Sequence, residues 1–167
     1  NYKTKNLKFF KMDVRDEEEH TKVIKQGLIW NNSLDCYINC AGISSWKPIS
    51  KVNEEFFYDI IDTNLKGVIW GCKQSSKKMK SGSSIINISS IASKRGSINN
   101  SIYCASKFAV NGITQSLAKE LGAKKIRVNS VCPVNILTHG LKKAFKDQFS
   151  PAKNNINSYL KNFTNEQ

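Results

Sequence analysis

Short apolar runs alternate with longer amphipathic stretches along this chain, and the alternation predicts its elements. Leu7-Lys8-Phe9-Phe10-Lys11-Met12-Asp13-Val14 reads as a strand. Asp16-Glu17-Glu18-Glu19 then places acids where the helix dipole favours them, which predicts a helix to about Trp30. A second strand, Leu34 to Asn39, ends at Ala41-Gly42, and a loop with Pro48 follows. The next helix is expected over Asn53–Lys80, with Ile60, Ile61, Val68 and Cys72 at helical spacing. Ser81-Gly82-Ser83 breaks it before a third strand, Ser84 to Ser89. A helix over Ser101–Leu121 carries the apolar stripe Ala105, Ala109, Ile113 and Leu117, and a fourth strand spans Ile126 to Pro133. Residues 141–167 are polar and rich in Asn and Lys, with weak helical signal and no strand.

Strand and helix in strict alternation is the pattern of an α/β domain built on a parallel sheet covered on both faces. Short runs rich in Ile or Val fit parallel strands buried on both sides. In such sheets functional groups gather at the carboxyl ends of strands. Asp13, Asn39 to Gly42, Ser90 and Pro133 all fall at such ends, so the sequence directs four positions to one edge of one sheet.

Composition narrows the classes. At 167 residues and 40% apolar, the chain has the size and content of one folded domain. The net charge of +13 comes mostly from scattered lysines, with three arginines, and lacks the Arg and aromatic patterning of a nucleic-acid reader. No apolar run reaches the length of about 18 residues that a membrane span needs. Neither a membrane nor a nucleic-acid partner is therefore expected. The five cysteines are odd in number and scattered, which predicts reduced thiols in a cytoplasmic protein, with Cys36, Cys72 and Cys132 buried. His20 and His139 have no ligand-spaced neighbours, so no metal site is expected.

The chemistry-bearing pattern is Ser90, then Tyr103, then Lys107. A phenol at i and an ammonium at i+4 share one helix face. The cation favours the phenolate and lowers a phenol pKa that starts near ~10. Such a tyrosine can exchange a proton with an alcohol or carbonyl, and a serine on another element can bond the same oxygen. With 26 basic residues a Tyr–Lys pair arises readily by chance, so its context must carry the argument.

That context resembles the short-chain dehydrogenase/reductase family from Leu7 to Thr138. Asp13-Val14 resembles the acid-bearing strand end that touches the adenine, and Asn39-Cys40-Ala41-Gly42 resembles the Asn-Asn-Ala-Gly turn under the adenosine ribose. Asn64 matches the helix asparagine that holds a relay water, and Ser90, Tyr103 and Lys107 match the catalytic trio. Thr138, five residues after Pro133, matches the threonine that meets the nicotinamide carboxamide, with Ile136 between them as a further cofactor contact. The resemblance implies a Rossmann-like doubly wound sheet and NAD or NADP as cofactor. It implies a small alcohol or ketone substrate and a homodimer or homotetramer. Tyr103 would be the acid/base, Ser90 would orient the carbonyl, and Lys107 would lower the Tyr103 pKa and bind the nicotinamide ribose. Substrate choice would lie in the loop after the fourth strand.

Simpler roles compete at several positions. Ser90 could cap the loop after its strand, Asn64 could be a satisfied core amide, and Asp13 could begin a turn. The chain also departs from the family. No glycine-rich phosphate loop precedes Gly27, and Val134 stands where the family has glycine, a stiff side chain if positive φ were required. These departures predict a sheet incomplete at both ends. Residues 1–140 would form a partial dinucleotide-binding domain, and 141–167 a variable substrate-loop region, partly helical or disordered. A non-catalytic binding or dimerisation module is the alternative.

Overall fold

The computed structural model describes residues 6–134, 136, 138–153 and 155–165. Its elements run α1 (Glu17–Asn31), β1 (Cys36–Asn39), α2 (Glu54–Ile61), α3 (Gly67–Ser76), β2 (Ser84–Ile88), α4 (Ser101–Gly122), β3 (Arg127–Val131), α5 (His139–Ala144) and α6 (Ile156–Asn165). Asp16 caps α1 by accepting from the Glu18 N–H, and Asn53 caps α2 by accepting from Phe56. The three strands pair in parallel in the order β1-β2-β3, with Asn39 beside Asn87 and Ile88 beside Val131. The sheet and its crossovers are those of a Rossmann-like α/β domain, as the sequence pattern predicts.

Alternation along the strands divides the sheet into two unlike faces. Ile85, Asn87 and Val128 turn toward the helices and are 0%, 0% and 5% exposed. There Val68, Cys72, Val110, Leu121 and Ile126 complete the main core. Each fully buried aliphatic side chain of this kind contributes about 1.5–3 kcal/mol. On the other face Cys36, Ile38 and Val131 are exposed. Of the cysteines expected inside, Cys72 alone is fully buried; Cys36 lies on the open face and Cys132 is half-buried.

Three expectations are corrected. Residues 7–14 form no strand, because no neighbouring strand completes a ladder there, and Phe9 stands exposed. The single helix over 53–80 is instead α2, a wide turn of π-helix at Asp62–Lys66, and α3. The buried face of α4 is also rotated from the apolar stripe: Lys107, Val110, Asn111, Thr114 and Leu121 face inward, whereas Ala105 is exposed. Polar side chains can occupy that face because they find partners on the sheet and its loops.

The chain after β3 folds back. Trp46, Phe145 and Ala152 form a second buried cluster, with Leu141, Phe149, Tyr159 and Leu160 packed against it. The chain after β3 thus supplies the helices α5 and α6. Among the described residues no helix is long and apolar enough to cross a membrane.

Candidate active site

A cavity of about 1030 Å³ opens at the carboxyl ends of the strands, between the loop after β1, the loop after β2, the first turns of α4 and the segment after β3. Gly42, Ser90, Tyr103, Lys107, Pro133, Ile136 and Thr138 all line it. Seven positions chosen from sequence therefore meet in one space.

The loop after β2 presents Ser90. Its Oγ accepts from the Ala92 N–H at 3.1 Å, and its carbonyl accepts from Ser93 Oγ at 2.6 Å. The Ser90 hydroxyl and the Tyr103 phenol line the same cavity, and the hydroxyl favours the ionised form of the phenol. Ser90 thus caps a short 3₁₀ turn, as its simpler role predicted, and still faces the cavity. Both roles hold in one geometry.

One helical turn beyond Tyr103, Lys107 is 4% exposed and donates from Nζ to the Ile88 carbonyl at 3.0 Å. Burial lowers its pKa to about 8. The expected lowering of Tyr103 is overturned. Burial pushes the phenol up, and the nearby Ser90 hydroxyl offsets only part of that. Lys107 Nζ lies 5.8 Å from the phenol ring centroid and spends its hydrogen bond on the backbone. Tyr103 is consequently a neutral phenol, poised to give a proton.

Asn64 sits in the π turn and is 0% exposed. Its Oδ1 accepts from the Ile43 N–H at 2.8 Å, and its Nδ2 donates to the Ile43 carbonyl at 2.9 Å and to Ser106 Oγ at 3.3 Å. Ser106 Oγ in turn donates to the Tyr103 carbonyl at 2.7 Å. One amide therefore ties the loop after β1 to the α4 turn that carries the phenol. The side chain is the satisfied core amide of the simpler reading. Gly42 lies beside it: a Cβ there would come 3.3 Å from Asn64 Oδ1 and 3.5 Å from Lys107 Nζ. Glycine keeps that corner of the cavity open.

Other predicted cofactor residues stand apart from the cavity. Asn39 turns its side chain into the core, donating to Asn87 Oδ1 at 2.8 Å and to Cys72 Sγ at 3.4 Å. Asn87 passes the chain on to Thr114 Oγ1 at 2.9 Å. What reaches the cavity from this turn is Cys40 and Gly42, while Ala41 is exposed outside its lining. Asp13 is held by its own neighbour. Arg15 bonds its carboxylate at 2.7 Å and lowers its pKa to about 2. Val14 packs against Gly67, where a Cβ would come within 3.1 Å of it.

His20, which the sequence left unassigned, is 1% exposed and bridges Val14 to β1. Its Nε2 bonds the Val14 carbonyl at 2.8 Å and its Nδ1 bonds Tyr37 Oη at 2.8 Å. A carbonyl only accepts, so Nε2 carries the proton, and the Tyr37 hydroxyl, pushed up to about 12 by burial, donates to Nδ1.

Thr138 Oγ1 accepts from the Leu141 N–H at 3.2 Å and caps α5 at the cavity rim. Val134 lines the cavity without strain. Among the described residues, positive φ outside glycine occurs at Asn32, Asn99 and Lys125. Sequence reasoning also missed Trp46 and the Asn87–Thr114 pair. The signal for Asn87 was a polar residue inside the apolar run Ile85-Ile86-Asn87-Ile88.

Comparisons with known proteins give the family and the fold. The diacetyl reductase [(S)-acetoin forming] of Staphylococcus aureus is 33% identical over 124 residues, covering 72% of this chain and 48% of the relative. The 3-oxoacyl-[acyl-carrier-protein] reductase FabG of the same species is 36% identical over 142 residues, covering 81% of this chain and 57% of the relative. The structure of ElxO with NADP bound superposes with a TM-score of 0.78 at 33% identity, over 83% of this chain and 57% of ElxO. The chain thus spans about half the length of these relatives. The family model for short chain dehydrogenase matches residues 1–148, and the chain belongs to that family.

Proposed function

We propose that this chain carries the reacting centre of an NAD(P)-dependent oxidoreductase that interconverts a secondary alcohol and a ketone. The observation that carries the reading is the Ser90 hydroxyl and the Tyr103 phenol, one helical turn from Lys107, lining one cavity large enough for a substrate. The names of the two bacterial relatives describe carbonyl reductases, and ElxO carries NADP in its structure, which supports the same chemistry here.

The residues at hand fit the nicotinamide end of such a cofactor. Gly42 leaves an open corner beside Lys107 Nζ, and Pro133, Ile136 and Thr138 line the same cavity. Lys107 and Thr138 would hold the nicotinamide riboside, which when bound supplies or accepts a hydride at carbon. The protein's own part is proton handling and orientation. Ser90 donates to the substrate oxygen and fixes its position. Tyr103, neutral because it is buried, gives its proton to that oxygen as the carbonyl is reduced and takes one back in the reverse direction. Lys107, one helical turn away, stabilises the phenolate that remains. Asn64 holds the loop and the helix in register.

Oxidation of NADPH or NADH with a panel of ketones, wild type against Tyr103→Phe, tests the reading. Loss of the phenol is expected to cost about 10²–10⁴ in turnover. Equal rates in the two proteins would overturn it and leave the dimerisation module, for which the half-exposed Phe108 on the outer face of α4 is the specific support.

A further inference from the structure

We propose that Asn111 is a positioning residue that fixes where Ser90 stands relative to Tyr103, acting through the hydroxyl of Ser93. Asn111 lies on α4 one helical turn beyond Lys107, and Ser93 closes the short 3₁₀ turn that Ser90 caps. The consequence for turnover rests on the oxidoreductase reading; the tie itself does not.

Asn111 and Ser93 are buried, 7% and 3% exposed, and neither lines the cavity, so neither touches a substrate there. They reach the site through a chain of hydrogen bonds. Ser93 Oγ lies 2.6 Å from the Ser90 carbonyl, and Asn111 Nδ2 lies 2.7 Å from Ser93 Oγ. The Ser93 N–H donates to the same carbonyl at 3.0 Å. Cys132 Sγ stands 3.5 Å from Ser93 Oγ and 3.8 Å from both ends of the Asn111 amide, which brings in the segment after β3. That segment is tied to the same turn by the Ile91 N–H, which donates to the Pro133 carbonyl at 3.0 Å.

The direction of these bonds is forced. A carbonyl only accepts, so the single proton of the Ser93 hydroxyl goes to Ser90. The Ser93 oxygen is then left to accept, and its neighbour on Asn111 must be the amide NH₂. A leucine at 111 would leave Ser93 Oγ only the weak thiol of Cys132. Tyr103, Lys107 and Asn111 stand at i, i+4 and i+8 on α4, so one helix carries the phenol, the ammonium and the tether of the serine's loop. Ser90 and Tyr103 come from different elements, and a bond between those elements sets their separation. Satisfied buried networks hold one arrangement, and a misplacement of about 1 Å can cost about 10²-fold in rate.

The test uses the full chain and two readouts: turnover of the ketone panel, and the NMR ring signal of labelled Tyr103, assigned by its loss in Tyr103→Phe. The signal needs neither cofactor nor substrate. Asn111→Leu and Ser93→Ala are each expected to lower kcat about tenfold or more, with KM changed less than about twofold. Each should also move the Tyr103 signal in the direction that Ser90→Ala moves it. Added to Ser90→Ala, Asn111→Leu should cost almost nothing more, because the hydroxyl it positions is already gone. Thr114→Val breaks another buried bond of α4, to Asn87 at 2.9 Å, and should lower the melting temperature without moving kcat or the signal. If Asn111→Leu fails to fold, Ser93→Ala, which removes a single oxygen, decides. A Tyr103 signal that neither substitution moves, or the full cost of Asn111→Leu recurring on top of Ser90→Ala, would overturn the proposal. A signal displaced as expected in a chain that turns over no ketone would keep the tie and sink the oxidoreductase reading instead.

Discussion

The reacting end of the site and the Asp13 end are built in contrasting ways. At the reacting end two buried side chains are fixed by bonds that cross between elements: Lys107 to the end of β2, and Asn64 to the loop after β1 and to Ser106 on α4. At the other end, residues 7–14 lie in no ladder, and Asp13 spends its carboxylate on Arg15, two residues away. That segment is held to the body chiefly through Val14, by His20 above and Gly67 below. Geometry at the reacting end is therefore set by bonds between elements, and at the Asp13 end mostly by contacts within six residues, among them the Asp13 N–H to Glu19 Oε2 at 2.6 Å. Sites carried on packed strands and helices keep their positions more closely than sites on loops.

Substitutions can break or sharpen that contrast. Asn64→Ala should have the largest effect, about 2–4 kcal/mol in urea unfolding, because it orphans both polar groups of Ile43 and loosens the Tyr103 turn. A loss below about 1 kcal/mol would mean that the clamp is redundant. His20→Ala should cost about 2 kcal/mol by stranding the buried Tyr37 hydroxyl and freeing Val14. Amide exchange should then rise at residues 13–15 while the Tyr103 region keeps its protection; faster exchange at both ends would erase the distinction.

The smallest effect is a pH slope. The folded pKa of Lys107, about 8, lies below its ordinary 10.5, so between those values the unfolded chain binds more protons. Stability from this group is accordingly present in full above 10.5 and is lost as pH falls through 8. Unfolding free energies from urea titrations across this range should climb by no more than about 1.4 kcal/mol per pH unit, and Lys107→Met should flatten the climb. An unchanged slope in the variant would place the ammonium in water.

Much of this was legible in the sequence, and the gaps have physical causes. The alternation of strand and helix fixed three strands and α1 to within two residues, because their periods of two and 3.6 differ so plainly. Ser90, Tyr103 and Lys107 converged as expected because strand ends and an i, i+4 spacing are local facts. The inward face of α4 was missed because Lys107, Asn111 and Thr114 resemble surface residues until their partners are seen. The protonation of Tyr103 was missed because burial, a property of the assembled cavity, outweighs a cation one turn away. Trp46 gave no signal of its own, since the helices that cover it come from a segment with little pattern.

The wide turn at Asp62–Lys66 makes the centre sensitive to chain length as well as to side chains. A π turn holds one residue more than the α-helix around it would need. Deleting a single residue from this stretch would let the helix close into a regular spiral with all its backbone bonds intact. The flanking helices would keep nearly their present faces, since the closed turn covers almost the same arc with one residue fewer, and the change would fall on the turn itself. Asn64 would be carried away from Ile43, and a change that looks harmless to secondary structure would dismantle the centre.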